Sequence, residues 1–199
     1  MVGQAGRGLP RAHGTVAGER FVPLGTMDFE PVIEAIACSG ADLVLSTLVG
    51  ADEVAFERQC LAMGLRSRCR TLSLVLDEST RERIGDSAAA GLWTAFGYFQ
   101  QLPTAENQAF LSRYRDTFGP WAPPVSTLSE STYSAVHLYG AAARQAREDD
   151  PGQVAAHLRR LRATLPRGSV ELMGPHQIRQ QLRLAEASAG GFRLLEPAR

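Results

Sequence analysis

From Arg20 to Phe99 the chain alternates short apolar runs with longer stretches in which apolar residues recur every three or four positions. The runs RFVPLG, ADLVLST, TLSLVL and GLWTAFGYF have the length and composition of strands. Between the first two, DFEPVIEAIACSG places Phe29, Val32, Ile33, Ile36 and Ala37 on one helical face, with Asp28 as N-cap, Pro31 in the first turn and Gly40 as the stop. ADEVAFERQCLAMG and the short ESTRERIG, capped by Asp77, are the next two helices. Four strands alternating with three helices predict an α/β fold with a parallel, doubly wound sheet and right-handed crossovers. Its apolar strands are expected to be covered on both faces.

After Phe99 the texture changes to three helical segments with hardly a strand between them. Thr104 can cap AENQAFLSRYRDTFG, Ser131 can cap TYSAVHLYGAAARQA, and PGQVAAHLRRL carries proline in its first turn. The stretch from Ser169 to Glu196 alternates and turns at Gly190-Gly191, which predicts short strands and a hairpin. Phe110, Tyr114, Tyr133, Val136, Tyr139, Ala143, Val154 and Leu158 form apolar stripes on the helices, while the strands before them already have helices of their own. These stripes require a further apolar surface. The lead, residues 1–18, holds five glycines and one proline without periodicity and is expected to be flexible. Gly3, Gly6 and Gly8 follow no strand, so a phosphate loop is not expected there.

Charge and composition narrow the function classes. Among 199 residues, 21 basic side chains balance 21 acidic ones, so no net field recruits nucleic acid or an anionic membrane directly. No run of 18 apolar residues occurs, which argues against membrane insertion. The N-terminus has no signal-peptide core; the chain as it stands is expected in the cytoplasm, and in the periplasm if the true N-terminus lies upstream. Cys38, Cys60 and Cys69 match no metal or redox spacing. Cys38 and Cys60 are expected in the core and Cys69, within RSRCR, at the surface.

In open α/β sheets, ligands collect where strands end and helices begin. Three such ends are readable: Ser46-Thr47 to Gly50, Val75 to Ser79, and Gly97 to Gln101. Ser46 and Thr47 offer two hydroxyls beside a glycine and a helix N-terminus. They suit a small neutral ligand, and equally a local cap. Asp52 and Glu53 in the first turn of the following helix weigh against an anion. His13, His137, His157 and His176 lie near no nucleophile or carboxylate pair, and Asp77 and Glu78 are adjacent in sequence, so their side chains diverge. No catalytic residue, metal site or cofactor is expected, and the protein reads as a non-enzyme.

The order ADLVLSTLVG, AFERQ, TLSLVLDE, GLWTAFGYFQQLPTAENQAFLSRYRDTFG and STYSAVHLYGAAARQA resembles the type I periplasmic solute-binding proteins of ABC transporters. Within these it resembles the branch of the amide-sensing amidase-operon regulators and the urea or short-chain amide receptors. The resemblance runs from about Gly18 to Glu196 and covers only the later half of the family pattern. It implies a lead (1–18), an α/β second lobe (19–100), a helical segment of an incomplete first lobe (101–166) and C-terminal crossover strands (167–199). It also implies ligand contacts at Ser46, Thr47, Ser73, Val75, Leu76 and Asp77. The ligand it implies is a small neutral amide or urea rather than an amino acid, because Val75 and Leu76 stand where amino-acid receptors place an acid. The partner in a full-length relative is an ABC permease or a regulatory protein. Two alternatives stand beside transport: a cytoplasmic amide-sensing regulator of amidase expression, and an interaction domain that dimerises through exposed helices.

Overall fold

The computed structural model describes residues 14–146, 150–174 and 177–195. Its helices are α1 (Glu30–Ser39), α2 (Ala51–Ala62), α3 (Glu78–Ile84), α4 (Asp86–Ala89), α5 (Ala105–Phe118), α6 (Thr127–Ala146) and α7 (Pro151–Leu158). Its strands are β1 (Leu43–Ser46), β2 (Arg70–Ser73), β3 (Trp93–Phe96), β4 (Arg162–Leu165), β5 (Gly168–Gly174), β6 (Gln177–Arg179), β7 (Arg183–Ser188) and β8 (Gly191–Leu195). The glycine-rich lead up to residue 13, and His176, lie outside the described residues.

One sheet has the order β1-β2-β3-β7-β8, with β1, β2 and β3 parallel and the β7–β8 hairpin added antiparallel to β3. The α/β class and the parallel core match the expectation, and so does the C-terminal hairpin, in which Ser188 pairs with Gly191. A second, antiparallel sheet, β4-β5-β6, packs Leu165 and Val170 against Leu138 of α6.

RFVPLG forms no strand. Pro23 cannot donate to a ladder and no neighbour pairs with this segment, so Phe21 and Leu24 stand 84% exposed. The segment is instead tied down through Gly25, whose N–H donates to the Asp52 carboxylate at 3.0 and 3.2 Å.

Strand alternation divides the main sheet into two unlike faces. Val44, Ser46, Thr71, Ser73, Thr94, Ala185 and Ala187 share one face; all but Val44 are buried. Leu43, Leu45, Leu72, Trp93 and Leu184 share the other, and none of them is buried. The expected cover on both faces is present on one. Arg70 partly shields the open face, its guanidinium carbon 4.7 Å from the Trp93 ring centroid.

Helix ends follow local chemistry. Thr104, Asp77 and Asp150 cap α5, α3 and α7, each accepting a backbone N–H three residues on. Asp28 accepts the Glu30 N–H at 3.0 Å from one position earlier than the N-cap, which is Phe29. Ser131 is not a cap: α6 already begins at Thr127, because Ser126 and Ser129 accept each other's backbone N–H groups at 3.3 and 2.9 Å. Ser131 lies within the helix and donates to the Thr127 carbonyl at 2.6 Å.

The apolar stripes are claimed in part. Phe110 and Leu111 enter one core with Leu76, Ile84, Leu92, Tyr98, Phe99, Val125 and Phe192, so this core joins residues on both sides of residue 100. Tyr114 and Tyr133 pack against it and Val154 is buried, whereas Val136 and Tyr139 remain 66% and 61% exposed. The cysteines reverse two expectations: Cys38 is exposed on α1, and Cys69 is buried. The turn at Leu65–Ser67 folds Leu65 and Cys69 together into the core of Phe29, Ile33, Phe56 and Cys60, leaving Arg68 and Arg70 of RSRCR exposed and Arg66 turned toward buried Glu57.

Candidate functional site

The carboxyl ends of β1, β2 and β3 lie side by side, and the loops that leave them form the one stretch where the expected ligand residues converge. After β1, Thr47 is exposed and Gly50 adopts φ 64°, a left-handed turn that only glycine takes at little cost. After β2, Val75 is half-buried at the surface. The other four expected residues turn inward. Ser46 and Ser73 pair in register and are buried on the helix-covered face. Leu76 belongs to the main core, and the Asp77 carboxylate accepts the Thr80 N–H at 2.9 Å as the cap of α3.

Below the two serines lies a polar cluster that sequence reasoning missed. Ser46 donates to Glu53 Oε2 at 2.6 Å, and Ser73 faces the same carboxyl group. One turn along α2, Glu57 pairs with Arg66 from the turn before β2. Glu53 and Glu57 are wholly buried. Burial raises both carboxyl groups above the ordinary range, Glu57 up to about 8, against the lowering effect of Arg66. Glu53 was expected to act only on the helix dipole. No local signal marked it: positions 53, 56, 57 and 60 fall on one side of α2, but two of the four are glutamates, so that side does not read as apolar.

The loop after β3 is bound to its neighbours through Glu78 and Gln100. Glu78 Oε1 accepts the Gln100 N–H at 2.7 Å, and Gln100 Oε1 accepts the Val125 N–H at 2.6 Å. Burial pushes the Glu78 carboxyl up to about 7. At the end of β3, Arg183 donates to the Gly97 carbonyl at 2.9 Å and forms no ion pair with a carboxylate among the described residues. Beside it, Arg167 is committed to buried Glu130 and to Gln180, the latter at 2.7 Å.

These loops can hydrogen-bond a small solute through the exposed Thr47 hydroxyl and can pack it against Val75. Asp77 and Glu78, the carboxylates nearest the β2 loop, are engaged by backbone N–H groups. Among the described residues no group of three or more histidine, cysteine or carboxylate side chains is placed to hold a metal ion. A surface hollow of about 490 Å³ lies at the opposite end of the strands, lined by Asp42, Cys69, Arg70 and Trp93.

A family model described as "Periplasmic binding protein" matches residues 1–191. A solute-binding protein of an ABC transporter from Rhodopseudomonas palustris HaA2, solved in complex with p-hydroxybenzoic acid, is 26% identical with a TM-score of 0.83. That match covers 94% of this chain and 53% of that one. An amino acid ABC transporter substrate-binding protein from Pseudomonas fluorescens Pf-5 superposes with a TM-score of 0.87 at 16% identity, over 100% of this chain and 55% of that one. A curated limonene hydroxylase of Geobacillus stearothermophilus is 24% identical over 108 residues, 54% of this chain but 20% of that protein. The chain thus spans about half the length of the solved structures it matches.

Proposed function

Because the chain belongs to the periplasmic binding protein family, we propose that it supplies one wall of a two-lobed, non-enzymatic receptor for a small solute without an ammonium group, with a short-chain amide or urea as the leading class. The observation that carries this reading is the engagement of the nearby acids. Asp77 caps α3, Glu78 holds the loop after β3 through Oε1, and both side chains are buried, so neither carboxylate faces the surface where a cationic ligand would sit. Residues 19–100 form the second lobe in this reading, and Thr47 and Val75 are the side chains that meet the ligand. In the whole receptor the solute closes a hinge between two lobes, and the closed form is what a permease or a regulatory partner recognises. The limonene hydroxylase match adds no enzymatic reading, because it covers one fifth of that protein.

An aromatic carboxylate is the second reading. It is favoured by the relative solved with p-hydroxybenzoic acid and by Arg183, a guanidinium at the end of β3 with no carboxylate pair among the described residues. Titration calorimetry with acetamide, butyramide, urea, 4-hydroxybenzoate and leucine separates the readings. Heat with the amides or urea supports the first, and heat with hydroxybenzoate that is lost in Arg183→Ala supports the second. Binding of leucine alone would sink both. Light scattering tests the role of an interaction domain: a concentration-independent monomer excludes dimerisation through α6.

A further inference from the structure

The two loops that present Thr47 and Val75 share one anchor. Ser46 and Ser73 stand opposite each other in the β1–β2 ladder. Each hydroxyl accepts the backbone N–H two residues on, Leu48 to Ser46 and Val75 to Ser73, both at 3.3 Å. A hydroxyl used as an acceptor still has its own proton to place. Ser46 places it on Glu53 Oε2 at 2.6 Å, and the Ser73 hydroxyl faces the same carboxyl group. Glu53 is wholly buried, and its Oε1 has no hydrogen-bond partner among the described residues. The charged groups around it are Glu57 on its own helix and Arg66 from the turn before β2. A carboxyl group so deeply buried and so sparsely bonded lowers stability by itself, so its presence points to what it holds.

We propose that Glu53 is the positioning residue of the candidate ligand wall: its buried carboxyl group holds the Ser46 hydroxyl and, because Ser46 and Ser73 are paired across the β1–β2 ladder, fixes the loops after β1 and β2 relative to each other. The inference rests on the proposed function only in treating those loops as a ligand wall. Glu53 itself touches no solute. Its removal frees the Ser46 hydroxyl to rotate and takes away the carboxyl group that the Ser73 hydroxyl faces, so the Leu48 and Val75 amides lose their fixed acceptors.

Amide hydrogen exchange of the full chain, read by NMR and referenced to intrinsic rates, tests this without any ligand. Glu53→Ala is expected to speed exchange at Leu48 and Val75 by about tenfold or more, while the amides of β7 and β8 keep their protection. Glu53→Gln keeps an acceptor oxygen in place and is expected to restore both amides. Ser46→Ala should expose Leu48 without Val75, and Ser73→Ala should do the reverse. If Glu53→Ala does not fold, the serine variants carry the test. Unchanged protection in Glu53→Ala, equal loss in Glu53→Gln, or uniform loosening of the whole sheet in either serine variant would overturn the proposal. Failure of the ligand titrations with the exchange pattern intact would instead sink the receptor reading and leave the anchor standing.

Discussion

Glu57 makes the stability of this molecule depend on pH in a direction unusual for a glutamate. Burial outweighs the attraction of Arg66 and raises its carboxyl from about 4.5 to about 8. The folded chain therefore keeps a proton that the unfolded chain releases, and stability falls as pH rises between those two values, then levels off. The thermal midpoint should drop from pH 5 to pH 8. Glu57→Gln should flatten that slope, leaving the contributions of Glu53 and Glu78, which burial raises in the same direction, and an unchanged slope would refute the assignment. A second buried polar pair calls for a different test. Arg167 holds wholly buried Glu130 as well as Gln180, so Arg167→Ala leaves a buried carboxylate without its guanidinium partner and with the Ser134 hydroxyl as its remaining donor. Urea unfolding should show a loss of roughly 3–5 kcal/mol. Neither pair was legible in the sequence, because Glu53, Glu57 and Glu130 look like ordinary charged positions until the sheet is laid against the helices that carry them. The cysteines misled for the same reason: Cys69 sits among arginines in sequence, yet the turn at Leu65–Ser67 directs it inward.

At the scale of elements, what could be read was governed by local rules. Gly40 and Gly50 turn the chain at positive φ, and Asp77 and Thr104 cap where their spacing to the following apolar run says they should. Asp77→Ala should cost about 1 kcal/mol and fray α3, measurable as faster exchange at Thr80, whose N–H the carboxylate accepts. Local rules failed where the outcome depended on a neighbour. RFVPLG has the composition of a strand, but a strand exists only when another pairs with it. Ser131 has the side chain of a cap, but the reciprocal Ser126 and Ser129 bonds start the helix one turn earlier. On α6, where Leu138 is the side chain that is buried, the expected stripe divides between Tyr133, which packs against the main core, and Val136 and Tyr139, which face solvent. If that face mediates pairing of chains, Val136→Glu should shift the light-scattering mass toward the monomer. No shift would mean that Val136 plays no part in association.

For the whole molecule, the α/β class and the order of pieces were legible because alternating periodicities survive in any fragment long enough to contain them. The ligand was not, since a chain spanning about half the length of its solved relatives carries at most the contacts of that half. Within the proposed wall, the sequence pointed to loops that the fold sets side by side while leaving open which side chains look outward; Thr47 and Val75 do, and Ser46 and Ser73 look in. Calorimetry on this chain alone should therefore give dissociation constants weaker than those of a complete two-lobed receptor by orders of magnitude, even for the correct solute. Equal affinity would mean that one lobe suffices.

The outer edge of β1 has a consequence for handling the protein rather than for its ligand. Its backbone donors and acceptors face no partner strand among the described residues, and Leu43 and Leu45 beside them are 44% and 42% exposed. An edge that is apolar and carries no lysine or proline is a template onto which other extended chains can add, and growth of that kind is seeded and irreversible. Stored samples should lose soluble protein after a lag that shortens when preformed aggregate is added. Leu45→Lys, a single gatekeeper charge, should lengthen that lag without altering the fold.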